Sequence, residues 1–157
     1  MKNKIMMLLV IMTLAISAVS AGPKPGKLQD NIKYRQSAMM FMRWNVGVIK
    51  KHVVKKPDSF NREEVIKAAN AIAAIAGTGL NRLFVPGTST GNGWKPTRVK
   101  PEFFEQPSEV SDLLASLNIE AGELAEVAKG GSVADINTQF KQLFNACRAC
   151  HKRYRAK

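Results

Sequence analysis

Apolar residues recur every three or four positions over most of the chain beyond residue 27, which is the spacing of amphipathic helices. The first such stretch predicts a helix from about Leu28 to Lys55, ended by Pro57. Lysines in its last turn complement the negative end of the helix dipole. Arg35 and Gln36 interrupt its apolar stripe. That stripe consists of Ile32, Met39, Val46, Ile49 and Val53.

A second helix is predicted to begin at Asn61, because Asn61 and Glu64 form a pair like a capping box. Apolar residues continue at helical spacing to Leu83, although Gly77 and Gly79 interrupt the second half of this pattern. The connection that follows, residues 85–101, is rich in proline and glycine. A crossover on the surface is the ordinary interpretation of such a loop.

Two further helices are predicted in the remainder of the chain. The third begins near Ser108, just after Pro107, and ends at the glycine pair of residues 130–131. The fourth has Ser132 as its N-cap, with Asp135 at the third helical position. Its apolar stripe comprises Val133, Ile136, Phe140, Leu143, Cys147, Cys150 and Tyr154.

Four helical stripes and no alternating run of β-branched residues predict an all-α fold without a sheet. The three- and four-residue spacing favours near-antiparallel packing, as in four-helix bundles, whose cofactor sites lie between facing helices. We therefore expect an antiparallel four-helix bundle.

The amino terminus has the features of a secretory signal peptide. A short basic segment, residues 1–4, precedes an almost wholly apolar segment, residues 5–19. Small residues before Gly22 offer a cleavage site, so residues 1–21 are predicted to be removed and residues 22–157 to form one domain. The apolar run is short for a spanning helix, so no stable membrane anchor is expected after cleavage. The mature protein is expected outside the cytoplasm.

The chain is strongly basic, with a formal net charge of +12. Such a charge favours acidic partners or anionic surfaces, and a solvated basic surface that only aids solubility is an equally good interpretation. A nucleic-acid partner is not expected, because the chain is predicted to be exported and carries no recognition motif.

The segment Cys147-Arg148-Ala149-Cys150-His151 contains both cysteines of the chain. The arrangement Cys-x-x-Cys-His is the attachment signature of a c-type haem. Each thiol can add to one haem vinyl group, and the adjacent histidine can supply a nitrogen to the iron. Both cysteines fall on the apolar stripe, so haem c attached to them would lie against the core of the bundle.

The motif has three other interpretations. A thioredoxin-like redox pair is expected near a βαβ pattern at the start of a helix, whereas this pair lies in the last predicted helix. A structural disulfide is the next alternative. Zinc needs about four ligands, usually Cys and His, and the spare histidine His52 is far away in the sequence.

The whole pattern resembles the class II c-type cytochromes, the cytochrome c′ family. The resemblance rests on the C-terminal motif extended through Tyr154 and Arg155, on the first-helix segment of residues 33–38, and on the segment of residues 84–88. It covers nearly the whole chain after residue 21. It implies a periplasmic four-helix bundle, often a homodimer.

The resemblance also assigns roles to individual residues. His151 would be the proximal iron ligand and Arg155 a basic residue beside it. Arg35 and Gln36 would approach the haem edge, with Arg35 near a propionate, and Phe84 would pack on the haem. An arginine on the inward side of a helix also needs an anion on physical grounds, unless only its stem packs there.

Met39 follows Arg35 by one helical turn and matches the family position over the iron, opposite the histidine. Members with an apolar residue there keep five-coordinate, high-spin iron and bind nitric oxide or carbon monoxide. Members whose methionine ligates the iron act as electron carriers, and some high-spin members carry an unligated methionine. Core packing is the ordinary role of such a residue. Our first expectation is electron transfer with Met39 over or on the iron, and the alternative is a gas-binding protein.

Enzymatic chemistry is not expected. Peroxidase or reductase activity needs an acid–base group over the iron. The only spare histidine, His52, lies about 20 Å along the first predicted helix from Met39 at the standard helical rise. The partner expected for electron transfer is a redox protein, with an acidic surface if the charge of the chain guides docking.

Overall fold

The computed structural model describes residues 25–157. The predicted signal peptide, residues 1–21, lies outside the described residues, as do residues 22–24. None of the helices in the described part is both long enough and apolar enough to cross a membrane.

Four long helices form the bundle: α1 (Pro25–Lys50), α2 (Arg62–Gly77), α4 (Pro107–Gly130) and α5 (Val133–Tyr154). A helix of one turn, α3 (Glu102–Glu105), precedes α4. Helix α2 packs against both α1 and α4, and α4 packs against α5. No strand occurs in residues 25–157 beyond two isolated bridges, so the predicted all-α bundle is confirmed.

Two apolar clusters lie inside the bundle. The main core contains the buried stripes of all four long helices, and its largest fully buried members are Ile49, Ile72, Leu124, Ile136 and Leu143. A smaller second cluster is built on Phe103, Val110 and Tyr154, where α3, the start of α4 and the end of α5 meet. Most of the stripe residues predicted from the sequence are buried in these clusters, because helical periodicity places them on one face.

The first helix differs from its predicted bounds. It starts earlier, at Pro25, and its regular α-helical part ends at Lys50, where a π-helical turn, Lys51–Lys55, takes over. Two adjacent residues of this turn, His52 and Val53, are buried. Helix α5 approaches the first helical segment mainly through this turn.

Both predicted helix caps are present, but the cap of α2 forms only one of the two hydrogen bonds of a capping box. Ser132 and Asp135 form a complete capping box at the start of α5. At the start of α2 the side chain of Asn61 accepts from the backbone N–H of Glu64 at 3.1 Å, but the Glu64 carboxylate binds His52 instead of returning to Asn61. The side chain of Glu64 therefore ties α2 to the π-helical turn.

The second predicted helix ends sooner than its apolar pattern. Regular helix stops at Gly77, and Gly79 adopts a left-handed conformation with φ 81°. Glycine adopts that conformation without steric cost, which explains the break. A short 3₁₀ helix, Leu80–Leu83, carries the rest of the stripe and delivers Phe84 to the bundle interior.

The connection of residues 85–101 is more than a surface crossover, because it is bound to α1 and to the last residues of the chain. A Cβ atom on Gly93 would lie 2.9 Å from the backbone nitrogen of Lys33, so only glycine permits this close approach to α1. At its other end the loop pairs with the C-terminus, where the Lys100 N–H donates to the Tyr154 carbonyl at 2.9 Å. The Ala156 N–H donates to the Arg98 carbonyl at 2.8 Å.

Candidate functional site

The two cysteines lie one turn apart on the inward side of α5, and both are free thiols, half-buried. Cys147 packs against the main core and Cys150 against the second cluster. Burial raises the pKa of both thiols, and for Cys147 the nearby Cys150 raises the pKa further. Neither cysteine is in a disulfide, and a reduced cysteine is what thioether formation with a haem vinyl group requires.

His151 follows on the same helix with an exposed side chain. Neighbouring atoms still shield part of its ring from water, and this desolvation, followed by the positive charge of Arg155, lowers the pKa of His151. The neutral imidazole that results is the form that binds a metal.

Arg35 is the most unusual polar side chain of the interior. It is 3% exposed, and burial lowers its pKa to about 10. Its guanidinium donates to the hydroxyl and the carbonyl oxygen of Thr88 and to the hydroxyl of Thr97, each at 2.5 Å. These acceptors are all neutral, and the described part of the chain supplies no carboxylate partner. A buried charge held only by neutral groups is poorly compensated and would be stabilised by an anion.

Phe84 lies where the site and both apolar clusters meet. The guanidinium carbon of Arg35 lies 5.3 Å from the centre of its ring, a cation–π distance. On its other side the ring stacks on Phe103, with centroids 4.4 Å apart. The structure therefore brings together Arg35 and Phe84, two residues to which the resemblance assigns contacts with the haem.

Gln36 binds the long loop. Its Oε1 accepts from the backbone N–H of Trp94 at 2.8 Å, and its Nε2 donates to the carbonyl of Lys95 at 2.9 Å. Since Gln36 and Arg35 both bind this loop, it is held against the outer and inner sides of α1 by consecutive residues.

Met39 is half-buried and packs against the main core, as does Cys147 of α5. Arg35 lies one turn before it on the inward side of α1. Met39 of α1 and Cys147 of α5 thus pack against the same apolar core, although they are more than a hundred positions apart.

Arg155 is exposed at the end of α5, and its backbone forms an isolated bridge with Val99 of the loop. It borders a shallow cavity of about 300 Å³ beside His151. The cationic side chains around this cavity, which we call the basic C-terminal surface, are Arg98, Arg148, Lys152, Arg155 and Lys157.

His52 lies in the π-helical turn that follows α1, and its ring is held by neighbouring residues. It is 3% exposed, with Nδ1 3.1 Å from the carbonyl oxygen of Ser59 and Nε2 2.7 Å from a carboxylate oxygen of Glu64. Within residues 25–157 no group of three or more His, Cys, Asp and Glu side chains is arranged to hold a metal ion.

The residues present fit a covalently attached haem. Two free cysteines lie one turn apart beside the imidazole of His151, and aromatic and aliphatic side chains pack around the cysteines. The poorly compensated guanidinium of Arg35 is a suitable partner for a propionate, because arginine forms strong charge-assisted hydrogen bonds with carboxylates.

Sequence reasoning missed the partners of Arg35. Thr88 ends the segment of residues 84–88 that carried part of the resemblance, so a signal for it existed. Thr97 and Arg98 had no such signal, because only the path of the loop brings them to α1 and to His151.

Comparison with known proteins gives a consistent result. The model of the Cytochrome C′ family matches residues 30–155. Cytochrome c′ from Rhodocyclus tenuis is 43% identical over 134 residues, covering 85% of this chain and 99% of that protein.

Solved structures of cytochromes c′ are also similar to this chain. The crystal structure of cytochrome c′ from Thermochromatium tepidum has a TM-score of 0.77 at 37% identity, covering 83% of this chain and 97% of the other. A second cytochrome c′, described as having an unusual ligand-controlled dimer dissociation, has a TM-score of 0.78 at 39% identity. That match covers 87% of this chain and 100% of the other.

Proposed function

Because the chain belongs to the cytochrome c′ family, we propose that it binds a diatomic gas, nitric oxide or carbon monoxide, at a five-coordinate iron. The protein carries one haem c, attached through Cys147 and Cys150. When bound, this haem supplies an iron with one coordination position left for a small ligand.

The observation that carries the proposal is the apolar character of the region around Met39. Met39 and Phe84 pack against the main core, and the charged group of Arg35 is turned towards Thr88 and Thr97. Nitric oxide and carbon monoxide are small and uncharged, so they enter an apolar pocket at little desolvation cost.

We propose a role for each of the predicted site residues. His151 is the proximal ligand, because it is adjacent to the attachment cysteines and its imidazole is neutral. Arg35 binds a propionate and Phe84 packs on the macrocycle. Gln36 positions the loop that supplies Thr97 to Arg35, and Arg155 sets the charge around His151.

Absorption and electron paramagnetic resonance spectra of the ferric protein at neutral pH test the proposal. A high-spin spectrum, followed by carbon monoxide binding after reduction, is expected. Met39→Leu should preserve both properties, because the proposal gives the thioether no bond to iron. A low-spin spectrum of the methionine–histidine type in the native protein, converted to high-spin by Met39→Leu, would overturn it.

Electron transfer with Met39 on the iron is the second candidate. The observation in its favour is Met39 itself, a thioether on the inward side of α1 one turn after Arg35. A thioether ligand favours ferrous iron and raises the reduction potential. The similarity to proteins described as cytochrome c′ favours the gas-binding proposal, and the same spectra separate the two.

We also propose a redox partner with an acidic surface. The basic C-terminal surface surrounds His151, and none of its five cations forms an ion pair with a carboxylate in the described residues. Such a surface attracts an acidic protein and speeds its association. This holds for electron transfer and equally for reduction of the iron before gas binding.

A homodimer through the outer side of α1 is a further part of the proposal. Tyr34, Phe41 and Trp44 lie on one side of this helix and are 61%, 51% and 64% exposed, and we call them the outer apolar face. Phe41 and Trp44 stack with centroids 6.0 Å apart. A relative of known structure is described as a dimer whose dissociation is ligand-controlled, which makes a second copy the partner we propose.

We propose a periplasmic location, in keeping with the predicted signal peptide and with haem attachment after export. We propose no enzymatic turnover. His52, the only other histidine of the chain, lies in the π-helical turn after α1, and its ring nitrogens contact Glu64 and Ser59. Peroxide turnover well above that of free haem, abolished by substitution of Met39, would contradict the proposed lack of enzymatic activity.

A further inference from the structure

A surface groove of about 520 Å³ lies between the end of α2 and the start of α4. Its floor and walls are mainly aliphatic and aromatic and include Ala76, Leu80, Phe84, Phe103, Leu114 and Ala115. Three polar side chains, Asn81, Ser111 and Asn118, also line it. Mainly apolar walls favour small uncharged molecules over ions, because an ion would lose hydration there.

The inner wall of the groove is shared with the proposed haem region. Phe84 and Leu114 are the two lining residues that pack against both apolar clusters. The main core contains the side chains that pack beside Met39 and Cys147, and the second cluster includes Cys150 among its neighbours. Phe84 and Leu114 therefore contact both the groove and the apolar clusters against which Met39 and the attachment cysteines pack.

We propose that this groove is the entry route of the diatomic gas, with Leu114 as the movable part of its inner wall. The proposal rests on the gas-binding function proposed above and adds the path by which the ligand arrives. The molecule that we propose to pass through the groove is a small uncharged gas, because an anion would lose its hydration on passing an apolar wall.

Phe84 and Leu114 differ in their contacts, and this difference indicates that Leu114 is the side chain that moves. Phe84 is fixed by its stack on Phe103 at 4.4 Å and by Arg35 at 5.3 Å. Leu114 is half-buried and has only apolar packing. Rotamer changes of such a side chain are faster than collective motions of the bundle, so a gap opens without moving helices.

Kinetics of carbon monoxide rebinding after flash photolysis test the route. Ala115 is an exposed lining residue of α4, and Ala115→Phe places a ring across the groove without altering the core. We expect bimolecular rebinding to slow by about tenfold, which corresponds to about 1.4 kcal/mol of added barrier. Leu114→Ala should accelerate it. The matched control is Ala134→Phe on α5, an exposed alanine outside the groove, which should leave the rate unchanged.

Xenon provides a readout independent of the iron. In crystals of the ferric holoprotein under xenon pressure, we expect xenon in the groove beside Leu114, and Ala115→Phe should remove it. Xenon found elsewhere, or rebinding rates equal in Ala115→Phe and Ala134→Phe, would overturn the route while leaving gas binding intact. A native protein that binds no carbon monoxide would instead refute the proposed function, whereas the xenon position would still report on the groove.

Discussion

Arg35 on α1 donates a hydrogen bond to the hydroxyl of Thr88 at 2.5 Å, although 53 positions separate the two residues in the chain. The same guanidinium also reaches Thr97, so one buried cation fixes both ends of a ten-residue stretch of the long loop. Thr88 is fully buried and donates in turn to the Val85 carbonyl at 2.6 Å. The cation is thereby held in place before any anion binds it, which is the arrangement expected of a preorganised propionate site.

Replacement of Arg35 by alanine is expected to lower the reduction potential of the haem. Loss of a positive charge near a propionate destabilises the reduced state, and the shift should be on the order of 50 mV. Spectroelectrochemical titration measures it. Arg35→Lys should retain most of the native potential, and Arg43→Ala, which removes an exposed cation from the same helix, should have little effect. Equal shifts in Arg35→Ala and Arg43→Ala would contradict the propionate contact.

Replacement of both Cys147 and Cys150 by alanine is expected to make the haem extractable with acid–acetone. The two thiols are the only ones in the chain, so no other residue can form thioether bonds. Pyridine haemochrome spectra of the extract and of the precipitated protein measure where the haem remains. Haem that stays with the precipitated variant would contradict thioether attachment.

Glu64→Gln is expected to lower the thermal midpoint at neutral pH and to weaken the pH dependence of stability. The hydrogen bond from His52 is the main cause that holds the pKa of Glu64 below its usual range, and Lys51 lowers that pKa further. A lowered pKa stabilises the folded state above the ordinary glutamate value of about 4.3. That contribution disappears as the pH falls through the lower pKa of the folded state.

Thermal melts followed by circular dichroism measure this effect. The difference between native protein and Glu64→Gln should be present at neutral pH and should shrink at about pH 3. Glu123→Gln, at an exposed position of α4, serves as the control. A destabilisation of equal size at both pH values would assign the effect to a cause other than the Glu64 carboxylate.

Phe41→Lys is expected to dissociate the proposed homodimer. A lysine in the outer apolar face would require its charge to be buried against the second copy, which is strongly unfavourable. Sedimentation equilibrium of the holoprotein measures the change. Ile119→Lys, a 57% exposed position on α4, is the matched control and should preserve the dimer. A native protein that is monomeric at millimolar concentration would refute the interface.

Lys152→Glu is expected to slow reduction by an acidic electron donor and to reduce the salt dependence of that reaction. Lys152 belongs to the basic C-terminal surface around His151, and salt screens such charges over about 10 Å at 0.1 M. Stopped-flow reduction by reduced flavodoxin across a range of ionic strengths measures both quantities. Lys141→Glu, exposed on α5 about three turns earlier, should change the rate less. Native rates independent of salt would contradict electrostatic docking.

Sequence reasoning was most accurate where a local pattern has one physical cause. Ser132 and Asp135 predicted the start of α5 because a capping box satisfies backbone groups within four residues. The sequence-based prediction was least accurate at the end of α1. The π-helical turn of Lys51–Lys55 contains His52, whose partners Ser59 and Glu64 lie outside the turn and leave no periodic signal in the sequence.

The sequence by itself determined the chemistry at α5. The spacing of Cys147, Cys150 and His151 specifies haem attachment through local covalent geometry, and its phase on an apolar helix directs the haem inward. Tertiary structure alone decided the surroundings of that haem. The contacts of Arg35 with Thr88 and Thr97, and the shared wall of Phe84 and Leu114, depend on the path of a loop and on packing between helices. Such contacts join distant residues, and no local periodicity encodes them.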